Sequence, residues 1–160
     1  MFILRFRGAT PASRVATLSP GRKTVIEGVV VAHQTMALGQ GKLPCVWYDN
    51  LVESMKAGMR GTRALWFVER AECRFADFFV EDASGKIFVS GDPREVEVSG
   101  AKRLLGMMNK QGTERFVAHV IQPGMRVKIH RAVGESAGVP GGGPALRSTA
   151  DVPLQILVRS

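Results

Sequence analysis

The chain is poor in the residues that usually announce a reaction. Its 160 residues include two cysteines, three histidines, two tryptophans and one tyrosine. Cys45 and Cys73 belong to no Cys-x-x-Cys pair, so neither a zinc ribbon nor a thioredoxin-type motif is written here. Both sit among apolar residues and read as buried, reduced thiols of a cytosolic-type protein, with one disulfide as the alternative. His33, His119 and His130 show no helical i, i+4 spacing and no His-Glu-x-x-His, so no metal is expected. No apolar run approaches the roughly 18 residues that span a bilayer. The start, Met1-Phe2-Ile3-Leu4-Arg5-Phe6-Arg7, is interrupted by Arg too early for a signal-peptide core. Neither Gly39-Gln40-Gly41-Lys42 nor the Gly138–Gly143 stretch fits a phosphate-binding loop. No cofactor and no small-molecule substrate are expected.

Positive charge and strand-forming residues are plentiful. Lys and Arg number 22 against 14 Asp and Glu, a formal charge of +8. That excess suits an acidic protein, an anionic membrane surface or nucleic acid. No basic run exceeds two residues, and scattered charge of this kind also describes an ordinary solvated surface. A hydrophobic fraction of 45% with 22% charged residues is that of a folded domain. The length fits one domain, read as a single β-rich unit over residues 1–160. Residues 1–9 read as an extension, a segment following a membrane anchor, or a first strand. Residues 134–149, with three consecutive glycines between prolines, read as a flexible loop.

Thr24–His33 is β-branched and carries Gly28, a signal for a bulge or bend. Pro44–Glu53 and Ala64–Glu72 read as further strands. Phe78-Phe79-Val80 and Ile87-Phe88-Val89 flank Asp82-Ala83-Ser84-Gly85, a hairpin with a turn acid and a glycine free to take positive φ. Arg94–Val98 reads as a short edge strand. Met125–Val133 alternates apolar with Arg126, Lys128 and His130. Leu154–Val158 closes the set. Two segments suggest helices: Ala101–Met108, and Thr113–Ile121 with Phe116, Val117, Val120 and Ile121 at helical spacing. The expected fold is mainly β, a small OB-like barrel or curled antiparallel sheet with one or two short helices.

Chemistry-bearing patterns are sparse. Ser99-Gly100-Ala101-Lys102 matches a serine–lysine pattern, but Ser99 reads better as a helix cap. Glu81-Asp82 reads as a pair of turn acids. No catalytic residue is assigned. The best binding face combines Trp47 and Tyr48 with Arg126, Lys128 and Arg131, a basic strand face beside stacking aromatics, as single-stranded nucleic acid requires.

Several spaced features line up along the chain. They are Thr10-Pro11-Ala12-Ser13, Gly21, Glu27-Gly28, Pro44-Cys45-Val46-Trp47-Tyr48, Trp66, Phe79–Gly85 with Val89, Arg115-Phe116, Pro123–Val127 and Pro153-Leu154-Gln155-Ile156. Together they resemble the beside-a-membrane (GIDE-type) domain of membrane-anchored RING ubiquitin ligases and their prokaryotic relatives. The chain departs from that pattern at Ala118-His119, where the family often has an acid, and at Gly124-Met125, where it often has Gly-Asp. Two cysteines cannot supply the eight ligands of a RING, so ligase activity is not implied. The resemblance implies a non-enzymatic domain that sits beside a membrane, through an anchor outside this sequence, and contacts a protein partner. Cys45, Tyr48, Trp66, Asp82 and Gly85 would then be structural, as a buried thiol, buried aromatics and turn residues. The alternative is a single-stranded nucleic-acid-binding OB module.

Overall fold

The computed structural model describes residues 23–39, 42–56, 65–134, 145–148 and 153–159. Thirteen strands lie in these segments: β1 (Lys23–Ala32), β2 (Met36–Leu38), β3 (Leu43–Cys45), β4 (Trp47–Lys56), β5 (Leu65–Phe75), β6 (Phe78–Asp82), β7 (Gly85–Ser90), β8 (Val96–Ser99), β9 (Lys102–Met107), β10 (Glu114–Ile121), β11 (Arg126–Gly134), β12 (Ala145–Arg147) and β13 (Leu154–Arg159). Residues 1–9, read as an N-terminal extension or post-anchor segment, lie outside the described residues. No helix among the described residues is long and apolar enough to cross a membrane.

The main sheet runs β1-β6-β7-β12-β11-β13-β8, and β1 also pairs β11. β1 therefore has neighbours on both edges, β11 along Lys23–Val29 and β6 along Val29–Ala32. Gly28 sits at this crossing for a steric reason. A Cβ there would stand 2.4 Å from the Glu81 carbonyl oxygen, so only a residue without one lets the two backbones approach. A second sheet runs β5-β4-β10-β9, and β2-β3 forms a small third. None of the three is a continuous closed barrel: β12 links β7 to β11 through three and two residue pairs.

Two expectations are corrected. The sheet is mixed rather than antiparallel, because β12 runs parallel to β7 and β13 parallel to β8. Neither pair is joined by a hairpin, so nothing forces antiparallel pairing. The two expected helices are β9 and β10, a hairpin in the second sheet. Only a three-residue 3-10 turn, Pro93–Glu95, is helical among the described residues. Ser99 consequently caps no helix; it ends β8 opposite Leu157. The 134–149 segment also contains an ordered strand, since β12 buries Ala145 and Leu146.

Other readings hold. β6 and β7 form the expected hairpin, with Asp82 opposite Gly85. The Asp82 carboxylate accepts from the Ser84 N–H at 2.6 Å and from the Ser84 hydroxyl, while Gly85 takes φ 143°. β11 buries Val127 and Ile129 and leaves Arg126 and His130 exposed. The principal core lies inside the main sheet, where Ile26, Val30, Phe78, Ile87, Ile129, Leu154 and Ile156 pack together. Trp47 and Ile121, at the near end of the second sheet, belong to the same cluster. Covering each such side chain contributes roughly 1.5–3 kcal/mol. A second cluster forms where the β2-β3 hairpin lays Leu38 and Cys45 on Tyr48, Ala118 and Val120.

Candidate functional site

The second sheet departs from the usual burial of a domain, and the departure begins with its strand register. β4 is its long inner strand, paired with β10 from Trp47 to Ser54 and with β5 from Trp47 to Lys56. Val52 opposes Arg70 but Glu53 opposes Val68, so Glu69 is the extra residue of a bulge. Residues opposite one another share a face. One face therefore carries three transverse rows: Val68, Glu53, Arg115 and Met107; Ala71, Leu51, Val117 and Leu105; Cys73, Asp49, His119 and Arg103. The opposite face carries Tyr48, Val120, Ala118 and Phe116, part of the cluster under the β2-β3 hairpin.

The first face is bare toward its outer end. Val68 is 56% exposed, Leu105 49% and Met107 57%. Leu65 and Phe67, opposite Lys56 and Ser54, are exposed on the other face at the same end of the sheet, and Met108 after β9 is exposed as well. Among the described residues, six of the seven exposed large apolar side chains lie on β5 or at β9; the other is Leu157.

One polar device stands inside this apolar surface. Arg115 donates from Nε to Glu53 Oε1 at 2.8 Å, and its guanidinium carbon lies 3.9 Å from the centre of the Trp66 ring. The ion pair and the cation–π contact fix both side chains flat on the sheet. Trp66 is thus half-buried on this face rather than part of a core cluster, which corrects its expected core role. Lys56 covers Phe67 in the same manner at 5.3 Å.

The third row, Cys73–Asp49–His119–Arg103, brings together a thiol, a carboxylate and an imidazole that are far apart in sequence. Its chemistry does not favour a nucleophile. Cys73 is exposed, not the buried thiol expected; partial desolvation and then the Asp49 charge push its thiol up. A reactive thiolate needs the opposite. Asp49 also stands between the thiol and the imidazole strand. Among the described residues no three His, Cys, Asp or Glu side chains group as a metal site. Cys45 is fully buried, and its thiol is likewise pushed up by burial.

The binding face expected from sequence is not assembled. Trp47 is 6% exposed and Tyr48 4%, so neither ring presents a stacking surface. Their strand is covered on both sides, Trp47 by the main core and Tyr48 by the β2-β3 hairpin. Tyr48 donates its hydroxyl to Glu72; burial first, and then Glu72, push that phenol up. Arg126 and Lys128 lie on β11 of the other sheet, Arg126 exposed and Lys128 half-buried opposite Glu27. Arg131 is also on β11, opposite Thr24. The apolar patch that does exist was missed, because which face of β5 and β9 lacks a covering layer is not written in local sequence. The one local signal is the string Leu65-Trp66-Phe67-Val68, four large apolar residues with no alternation. Compared with family models, curated proteins and solved structures, the chain matches none.

Proposed function

We propose that this is a non-enzymatic protein-interaction domain whose contact surface is the outer half of the β5-β4-β10-β9 sheet. One observation carries the reading: nearly all the exposed large apolar side chains gather on that one sheet. Exposed apolar side chains gathered at one end of a sheet, here on both of its faces, mark a contact site more often than residues scattered singly do. Arg115 and Trp66 fit the same reading, since Arg and Trp are the residues most enriched at the energetic centres of interfaces. A protein partner is also the role that the beside-a-membrane resemblance implies. We read the main sheet as an open, OB-like arrangement, because β1 pairs both β6 and β11 and β12 runs parallel to β7. The nucleic-acid alternative loses its stacking aromatics to burial and is not carried further.

The test is site-specific photo-crosslinking. A photoreactive residue is placed at Val68 or Leu105, and at exposed Arg126 as the control. Discrete protein adducts from the first two positions and none from the third are expected. Adducts equally abundant from all three, or from none, overturn the reading.

A further inference from the structure

β5 is an edge strand among the described residues, and its regular stretch beyond the Glu69 bulge, residues 70–74, is exposed. An exposed regular edge of this kind is a template for another strand. The direction of its free hydrogen-bonding groups follows from the ladder ends. Ala76 N–H donates to the Val46 carbonyl at 2.8 Å, Met55 N–H to Thr113 at 2.7 Å, and Met108 N–H to Glu114 at 2.8 Å. With the alternation of an antiparallel ladder, these bonds turn the backbone groups of Arg70, Glu72 and Arg74 toward β4. Those of Ala71 and Cys73 face outward, with no strand partner among the described residues.

We propose that this edge pairs with β5 of a second copy of the chain, antiparallel, about a two-fold axis at Ala71. The proposal rests on the reading of this sheet as an interaction surface and adds a partner at its edge, leaving the apolar side chains of Leu105 and Met107 on β9 open. Charge selects the register. Arg70 and Glu72 flank Ala71 with opposite signs, so the two-fold sets each Arg70 against the other copy's Glu72, twice. Those positions form the pairs without mutual hydrogen bonds, whose side chains approach most closely. Arg70 has no ion-pair partner among the described residues, while Tyr48 holds Glu72 in place on its own face. An axis at Arg70 or at Glu72 would oppose like charges. An axis at Cys73 would carry the pairing onto Phe75, which packs against the main core, and toward the Pro93–Glu95 turn that β5 touches. The other free edge, β9, contains only cations, so no two-fold register there pairs opposite charges. A two-fold contact closes on itself and stops at a dimer.

Sedimentation equilibrium over a concentration series tests this. The wild-type chain should show a reversible dimer. Ala71→Pro removes an outward N–H and no bond to β4; it should weaken the dimer at least about tenfold with an unchanged circular dichroism spectrum. Arg70→Glu should weaken it by about tenfold, and Arg70→Glu with Glu72→Arg should recover most of the loss. Should the proline variant fail to fold, Ala71→Cys in a Cys73→Ser background decides instead. Opposed Cα atoms about 5.5 Å apart lie within disulfide range, so mild oxidation should link two copies through position 71. A monomer at all concentrations, a dimer indifferent to Ala71→Pro, or a Cys73–Cys73 link in the wild-type chain overturns the proposal. A monomer whose Val68 photo-adduct is a different protein overturns the second copy and leaves the interaction domain standing. A monomer with no adduct removes both.

Discussion

Gly28→Ala should be among the most damaging single-methyl additions in the chain. The new Cβ would lie 2.4 Å from the Glu81 carbonyl oxygen and 2.9 Å from Val80 Cγ1, where ordinary contact begins near 3.4 Å. β1 must retreat by about 1 Å to relieve this, and it cannot retreat freely, because β11 occupies its other edge. The strained stretch is therefore the pairing of Val29 with Glu81 and Val30 with Val80. Weakening two ladder hydrogen bonds costs about 2 kcal/mol, and overpacking adds at least about 1 kcal/mol. A total near 3 kcal/mol lowers Tm by about 6–12 °C for a chain of this size. Thermal unfolding followed by circular dichroism measures it, with Gly39→Asn as control. Gly39 has φ 74° and nothing within 4 Å, and Asn tolerates that conformation, so its Tm should stay within about 2 °C of wild type. A Gly28→Ala protein melting within about 2 °C of wild type would refute the steric argument.

Other expectations follow from the same residues. Arg115→Met strands the largely buried Glu53 carboxylate and uncovers Trp66, so it should cost about 1–2 kcal/mol in urea unfolding; Arg115→Lys keeps the charge without the planar stack and should recover only part of that. A variant with no loss would mean that the ion pair is decorative. Cys45, Cys73 and Tyr48 all hold their protons harder in the fold than in the open chain. The native state therefore binds more protons than the unfolded state in the alkaline range, and stability must fall as pH rises from about 8 toward 11. A urea midpoint that climbs over that interval contradicts the assignment. Trp66→Phe leaves only the buried Trp47, so its emission should shift to the blue and resist acrylamide quenching; strong quenching would place Trp47 in solvent.

Much of the β architecture could be read locally. β11 was legible because one of its faces is covered and the other is not, which is the condition under which alternation appears in sequence. The β6-β7 hairpin was legible because Asp82, Ser84 and Gly85 encode a turn by their own hydrogen bonds and φ. β10 was misread because it is an inner strand with buried residues on both faces: Phe116, Ala118 and Val120 under the β2-β3 hairpin, Val117 and Ile121 on the other side. Such a strand loses its alternation, and its apolar positions fall by accident at helical spacing. The candidate surface was out of reach for a different reason. Trp47 and Trp66 look alike in sequence, but one is enclosed by the meeting of two sheets and the other lies flat on an uncovered one. That distinction is made by residues such as Arg115, far along the chain.

The placement of β13 bears on how the protein is made. β13 lies between β11 and β8 and buries Leu154 and Ile156, yet it is translated well after both. At about 5–20 residues per second, β8 and one edge of β11 wait several seconds for the strand that joins them. The β5-β4-β10-β9 sheet has no such wait, since all four strands have been synthesised by Ile121. Assembly should therefore run against the usual order for a domain. The sparsely covered sheet can form on the nascent chain, and the well-packed core closes only once β13 has been translated. A gain of protease resistance in residues 23–32 that waits for β13 to emerge, and an earlier gain in residues 47–56, would be the signature of that order.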